Sequence, residues 1–171
     1  MPGSVIGKVL NLGYAGNVAR SADAIITNRI VKTSDSANVE FGDPVLLNGD
    51  NTYSKFGSTG TATNFAGIAV REVKQTSDYY NAQSFYRPGE PCDVASRGTI
   101  TVICRVGTPQ AGGAVYVRIA ANASIPGGVV GGFETAADGS NTVLIPGAKW
   151  TTGRIDANRV AEVTLIERNN P

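Results

Sequence analysis

Apolar and polar positions alternate without a break from Thr99 to Val106. Ile100, Val102, Cys104 and Val106 share one face, and Thr99, Thr101, Ile103 and Arg105 share the other. That period of two predicts a half-buried antiparallel strand. The same rhythm runs through "AVYVRI" (114–119), with Val115, Val117 and Ile119 inward and Tyr116 and Arg118 outward. In "FAGIAVREV" (65–73), Ile68, Val70 and Ala66 point one way, and Gly67, Ala69 and Arg71 the other. The β-branched run "AIITNRIVK" (24–32) predicts a further strand. Near the end, Trp150 lies on a strand, Asp156-Ala157-Asn158 turns the chain, and Val163 and Leu165 alternate with Glu162 and Thr164. This segment reads as a terminal hairpin.

Turn signals separate these runs. Gly42-Asp43-Pro44, Asn48-Gly49-Asp50-Asn51, Pro88-Gly89 and Gly107-Thr108-Pro109 each punctuate the pattern. "PVLL" before Asn48-Gly49 is a short strand entering a hairpin. Residues 74–87 form a long connection with aromatic handles, and 120–142 a Gly- and Ala-rich excursion, partly strand and partly loop. In "YRPGEPCDVASRGTITVICRVG" (86–107), Cys92, Val94, Ile100, Val102 and Cys104 read as core, and Arg97-Gly98 as a tight corner between two strands. Residues 1–24 show neither period and read as an extended N-terminal arm, with a short strand from Val5 to Leu10 as the alternative. The expectation is an all-β, single-domain chain of roughly eight to ten strands, a jelly-roll-like sandwich or small β-barrel. The arm covers 1–24 and the all-β domain 25–171.

Composition narrows the chemistry. The chain has 171 residues, enough for one domain with a real core, and 21 Gly and 8 Pro leave little room for helices. It contains no His, which removes serine–histidine and cysteine–histidine nucleophiles and most zinc sites. Formal charge is +1, giving no long-range pull toward nucleic acid or a membrane. The two cysteines, Cys92 and Cys104, fit no zinc or redox spacing. They read as buried free thiols, with a single disulfide as the alternative outside a cell. No signal-peptide pattern opens the sequence, so synthesis in the cytoplasm is expected.

Enzyme motifs fail one by one. "PGGVVGG" (126–132) is glycine-rich but lacks the Lys-Ser/Thr of a phosphate loop. No nucleophile elbow occurs, and "NGDNT" and "DGSNT" lack the closing Glu of a calcium loop. Glu90 with Asp93, or Asp43 with Asp50, could form a carboxylate pair only if the fold brought them round a cleft. "NAS" at Asn122 matches a glycosylation acceptor but has no secretory context. No catalytic residue, cofactor or metal ligand is therefore expected. What remains is a set of interface-prone side chains: Arg20, Arg71, Arg97, Arg105 and Arg118, with Tyr14, Tyr79, Tyr80 and Tyr86. An ordinary solvated sheet face is the competing reading of this set.

The segments "FGDPVLL", "FAGIAVREVKQ", "YRPGEPCDVASRGTITV", "AGGAVYVRIA" and "WTTGRIDANRVAEV", in this order, resemble the cement or decoration proteins of tailed-bacteriophage heads. The resemblance runs from about residue 12 to the end and rests on order and spacing. It implies a mostly β, non-enzymatic protein that binds the outside of the expanded capsid and bridges neighbouring major capsid subunits. It also implies self-association, as a homo-dimer in first place or a homo-trimer, with no direct contact to nucleic acid or membrane. Two other roles compete with it: another virion structural protein, such as a tail-tube, head-tail connector or receptor-binding module, and a carbohydrate-binding β-sandwich.

Overall fold

The computed structural model describes residues 11–71 and 83–166. Eleven strands follow one another: β1 (Val18–Ile30), β2 (Val39–Glu40), β3 (Pro44–Leu47), β4 (Tyr53–Lys55), β5 (Phe65–Ala69), β6 (Phe85–Tyr86), β7 (Pro91–Val106), β8 (Ala114–Arg118), β9 (Phe133–Glu134), β10 (Thr142–Ile155) and β11 (Val160–Leu165). A 3-10 turn at Gly139–Asn141 is the only helical piece among the described residues.

Two hairpins form where the turn residues placed them. β3 and β4 are joined through Asn48–Thr52, where the Asn48 carbonyl accepts from the Asn51 N–H at 3.0 Å. The left-handed residue there is Asn51 (φ 65°), not Gly49. Asn tolerates that conformation better than other side chains do. β10 and β11 form the terminal hairpin. Its turn is held by Asp156 Oδ1, which accepts from the N–H groups of Asn158 and Val160 at 2.9 Å each. Asp156 Oδ2 accepts from the Leu12 N–H at 3.0 Å, so this turn also anchors the start of the described chain.

Strands β7, β9, β8, β10 and β11 close into a barrel when β11 returns to pair with β7, from Val160↔Ile103 to Leu165↔Gly98. The N-terminal half of β7 builds a second lobe. There β1 and β5 flank it, and β3 and β4 continue from β5. β4 comes back to the end of β1, where the Lys32 N–H donates to the Tyr53 carbonyl at 2.8 Å. The single-domain all-β expectation, with a small barrel at its centre, holds.

Each lobe has its own core. Ile100, Val102, Cys104, Val115, Val117, Trp150 and Val163 fill the barrel, together with Phe65, Ile68 and Ala95. Val31, Val39, Tyr53, Ala66, Ala69, Tyr86, Cys92 and Val94 fill the second lobe. β5 lies between them and is buried on both faces. Ala66 therefore does not share a face with Ile68, as simple alternation expected; the two belong to different cores.

Arg97-Gly98 is not a corner. β7 is one strand of 16 residues running straight through it. The register with β1 steps from Ile26↔Ala95 to Ile25↔Arg97, leaving Ser96 as an extra residue. That is a β-bulge. β1 then crosses Gly98 (φ 115°) so closely that a Cβ there would sit 3.0 Å from the Ala24 Cα.

Residues 11–24, read as part of an arm, lie against the fold. Thr101 is the anchor. Its Oγ1 accepts from the Asn17 N–H at 3.0 Å and donates to the Tyr14 carbonyl at 2.6 Å, and its carbonyl accepts from the Gly16 N–H at 2.7 Å. β1 begins at Val18. Residues 1–10, including the alternative strand Val5–Leu10, lie outside the described residues.

The tightest backbone approach is at Gly67 (φ 149°), where a Cβ would stand 2.1 Å from the Ala95 carbonyl oxygen. Gly67→Ala is expected to cost at least about 2 kcal/mol in urea unfolding, because β5 must move off β7. Gly49→Ala, with nothing within 4 Å, should stay within about 0.5 kcal/mol of the parent.

Candidate protein interface

Arg118 is the sharpest departure from the outward arginine set. It does leave β8 on the face opposite Val117, but its side chain is fully buried. The chain from 120 to 138 covers that face and supplies the counter-charges. Nε and Nη2 donate to the two carboxylate oxygens of Glu134, the latter at 2.8 Å. Nη1 donates to Asp138 Oδ2 at 2.8 Å and to the Ala120 carbonyl at 3.2 Å. Asp138 in turn accepts from Asn122 Nδ2 at 2.9 and 3.0 Å. Those amide bonds first, and Arg118 second, hold the Asp138 carboxyl below the usual carboxylate range. Glu134 raises the Arg118 pKa further, so it stays charged across the working pH range. This is a buried, hydrogen-bonded charge cluster with a structural task.

The glycine loop explains itself beside it. A Cβ on Gly128 would meet Arg118 Nε at 2.4 Å, and one on Gly132 would meet Arg105 Cγ at 2.7 Å. The loop is glycine-rich because its backbone packs directly on two arginines. It is also tied down, with the Gly131 N–H on the Arg118 carbonyl (2.8 Å) and the Arg118 N–H on the Gly132 carbonyl (3.0 Å). At its tip Val129 and Val130 are 50% and 36% exposed. Between this tip and the β2–β3 turn lies a cleft lined by Phe41, Asp43, Lys55, Ile103, Arg105 and Phe133. Its enclosed volume is about 30 Å³, room for a water rather than a small-molecule ligand. Asp43 is engaged by Lys55 at 2.7 Å, and its burial still pushes its pKa up. Arg105 has no hydrogen-bond or ion-pair partner among the described residues.

The other expected interface residues scatter. Tyr14 is 72% exposed and stacks on the Arg71 guanidinium at 4.9 Å. Arg20 reaches Glu162 at 3.7 Å. Arg97 Nε contacts both Asp23 oxygens, at 2.9 and 3.0 Å. Tyr86 is buried: its ring packs edge-on against Phe41 and its hydroxyl donates to the Val70 carbonyl. Tyr79 and Tyr80 lie outside the described residues.

Sequence reasoning passed over the exposed aliphatic residues. Ile25, Ile26 and Ile30 on β1 are 37%, 45% and 51% exposed, and Val129 and Val130 mark the loop tip. The available signal was a β-branched run with no polar alternation, "AIITNRI", read only as a strand.

The carboxylates weighed as pairs serve the backbone and neighbouring side chains. Asp93 accepts from Asn28 Nδ2 at 2.8 Å, Glu90 from the Arg87 N–H at 2.8 Å, and Asp50 from the Thr52 hydroxyl at 2.5 Å. Cys92 and Cys104 are buried thiols outside any disulfide, as expected, and burial raises the Cys104 thiol pKa.

A family model described as "Structural cement protein (E217 gp24/Pam3 gp6)" matches residues 1–166. Among solved structures, a chain from "The capsid of Myoviridae Phage XM1" has a similar fold, with a TM-score of 0.71. Identity is 18%, and the match covers 96% of each chain. No curated protein matches.

Removing one partner of the Arg118 cluster leaves a buried charge unpaired. Arg118→Met is expected to cost about 3–5 kcal/mol in denaturant unfolding. The depressed Asp138 pKa adds stability that is present above its ordinary value of 3.8 and lost as pH falls through the folded value. Asp138→Asn should therefore flatten the fall in urea midpoint below about pH 4, the region fixed by that reference pKa.

Proposed function

The chain belongs to the phage structural cement proteins, and from that premise we propose that it sits on the outer surface of the capsid and bridges neighbouring major capsid subunits. In this reading the protein is made in the host cytoplasm, acts without catalysis and contacts protein rather than nucleic acid or membrane. It works as a pair of copies, each contributing to the bridge.

One observation supports the bridging role most directly. A bridge needs two contact surfaces, and the chain carries two apolar surfaces on different parts of β7 and its neighbours. One is Ile25, Ile26 and Ile30 on β1, which runs beside the N-terminal half of β7; the other is Val129 and Val130, beside Arg105 at its C-terminal end. From Asp93 to Arg105 a straight strand advances about 40 Å at roughly 3.3 Å per residue, and the extra residue at the Ser96 bulge shortens that. The Val129–Val130 tip with Arg105 suits a capsid surface offering an apolar groove beside a carboxylate. Many weak contacts of this kind, repeated over a shell, hold it by avidity.

Rebinding of the full chain to purified heads that lack it tests this surface. Arg105→Glu combined with Val129→Asp is expected to weaken binding at least tenfold with an unchanged melting temperature. Occupancy equal to the parent would remove the loop tip from the capsid contact. Deletion of residues 2–10 examines the N-terminal strap separately. The Leu12, Asn17 and Thr101 bonds survive it, so folding should persist while occupancy on heads falls.

A further inference from the structure

Arg118 touches the segment that covers it near its start, at its tip and at its end. Nη1 donates to the Ala120 carbonyl at 3.2 Å, near the start. At the tip, the Arg118 carbonyl accepts from the Gly131 N–H at 2.8 Å, and its N–H donates to the Gly132 carbonyl at 3.0 Å. At the end, the guanidinium reaches Glu134 and Asp138. Asn122 links the two ends: its Nδ2 donates to both Asp138 oxygens, and its Oδ1 accepts from the Ser124 N–H at 3.0 Å. One buried residue thus fixes both legs of the loop and the point between them.

The sequence of the tip works against such order. Val129 and Val130 are flanked by Gly127-Gly128 and Gly131-Gly132. Glycine loses more backbone freedom on folding than any other residue. Burial of the two valines does not offset that loss, because both stay exposed. Three of the glycines are nevertheless packed tightly in place. A Cβ on Gly128 would stand 2.8 Å from Arg118 Cζ, one on Gly131 2.7 Å from the Phe56 carbonyl oxygen, and one on Gly132 2.7 Å from Arg105 Cγ. Arg118 has little room to yield, since Glu134 and Asp138 hold its guanidinium from two sides. Gly127 differs: its Cβ would meet nothing nearer than the Arg105 carbonyl oxygen at 3.8 Å, an ordinary contact.

Holding two valines in order while they face water has a use at a contact surface. A loop already fixed in its bound shape loses little further freedom when a partner closes on it, and it binds more tightly for that reason. We infer that the Arg118 cluster is a positioning device for the head contact. It presents Val129 and Val130 as a preformed knob, which the capsid surface receives in an apolar pocket. Arg118 is fully buried and acts through the loop, without touching the capsid itself. The inference rests on the contact proposed above and assigns what prepares it.

Head binding by the full chain, set beside amide hydrogen exchange of the free protein, tests the device. Replacing Arg118 endangers the fold, so the variants act on what surrounds it. Asn122→Ala is expected to speed exchange at Gly128 and Gly131 at least about tenfold, with exchange at Val102 and Val117 in the barrel unchanged. It should raise the dissociation constant on purified heads by at least about tenfold as well. Gly128→Ala, which presses on Arg118, should have the same effect at Gly131 and on heads, whereas Gly127→Ala should bind as the parent does. A cluster that only supports the fold would lower the melting temperature and leave head binding unchanged wherever the variant is fully folded. Faster exchange at the tip with parent binding therefore overturns the inference. So does parent exchange at Gly131 in both Asn122→Ala and Gly128→Ala, or a loss of binding in Gly127→Ala equal to that in Gly128→Ala. The contact itself fails by a different result, parent occupancy for Arg105→Glu with Val129→Asp, so the two failures are told apart.

Discussion

β7 is buried along most of its length and is gripped from both edges, so one strand has to serve two cores. Strict alternation would send residues 92, 94, 100, 102 and 104 to the same side. Cys92 and Val94 in fact fill the second lobe, whereas Ile100, Val102 and Cys104 fill the barrel. The extra residue at Ser96 flips the parity between them. The bulge is internally satisfied, since the Ser96 hydroxyl donates to the Ile25 carbonyl at 3.3 Å. Gly98, just beyond, gives β1 room to cross. Without that local irregularity, half of the strand would turn its apolar side chains away from the core they now fill, at roughly 1.5–3 kcal/mol for each large side chain exposed.

The two lobes handle their edges differently. The barrel closes on itself through β11 and β7, which removes every edge on that circuit. Its face near β8 is sealed by the glycine loop and the Arg118 cluster, where full pairing offsets the cost of burying charge. Among the described residues, the second lobe closes by the bridge between Val31 and Tyr53, and no strand pairs with the outer side of β1 from Ile25 to Asn28. The place where closure is weakest is also where exposed isoleucines collect.

Local signals located most of the fold. Period-two stretches and Asn-Gly and Asp-Ala-Asn turns marked β3, β4, β5, β7, β8 and the terminal hairpin, because alternation and turn chemistry are written in neighbouring residues. The site was less legible, for physical reasons. Arg118 was assigned to the correct face of β8, but a period cannot reveal that residues 120–138 fold back over that face. Tyr86 looked interface-prone by residue type, yet its partners Phe41 and Val70 are far away in sequence. The bulge at Ser96 needed the β1 register to be seen, so Arg97-Gly98 read as a corner. Family resemblance, resting on the order of segments across the chain, carried the functional assignment that single residues did not.

A bridging protein transmits force only if the body between its contacts is stiff. In this chain the path from the β1 edge to the Val129–Val130 tip runs along β7, a continuous strand with no loop or hinge in it. β1 and β5 flank one half of that strand, and β11 and β9 the other, with side chains packed above and below. The tip itself hangs from β8 by two backbone hydrogen bonds and rests on the side chains of Arg105 and Arg118. Displacing either contact surface relative to the other would mean breaking ladder bonds in series or opening a close-packed core, and neither yields gradually. The parity flip at Ser96 thus allows two cores to share one strand and makes the pair of lobes a single rigid lever between the surfaces proposed for binding.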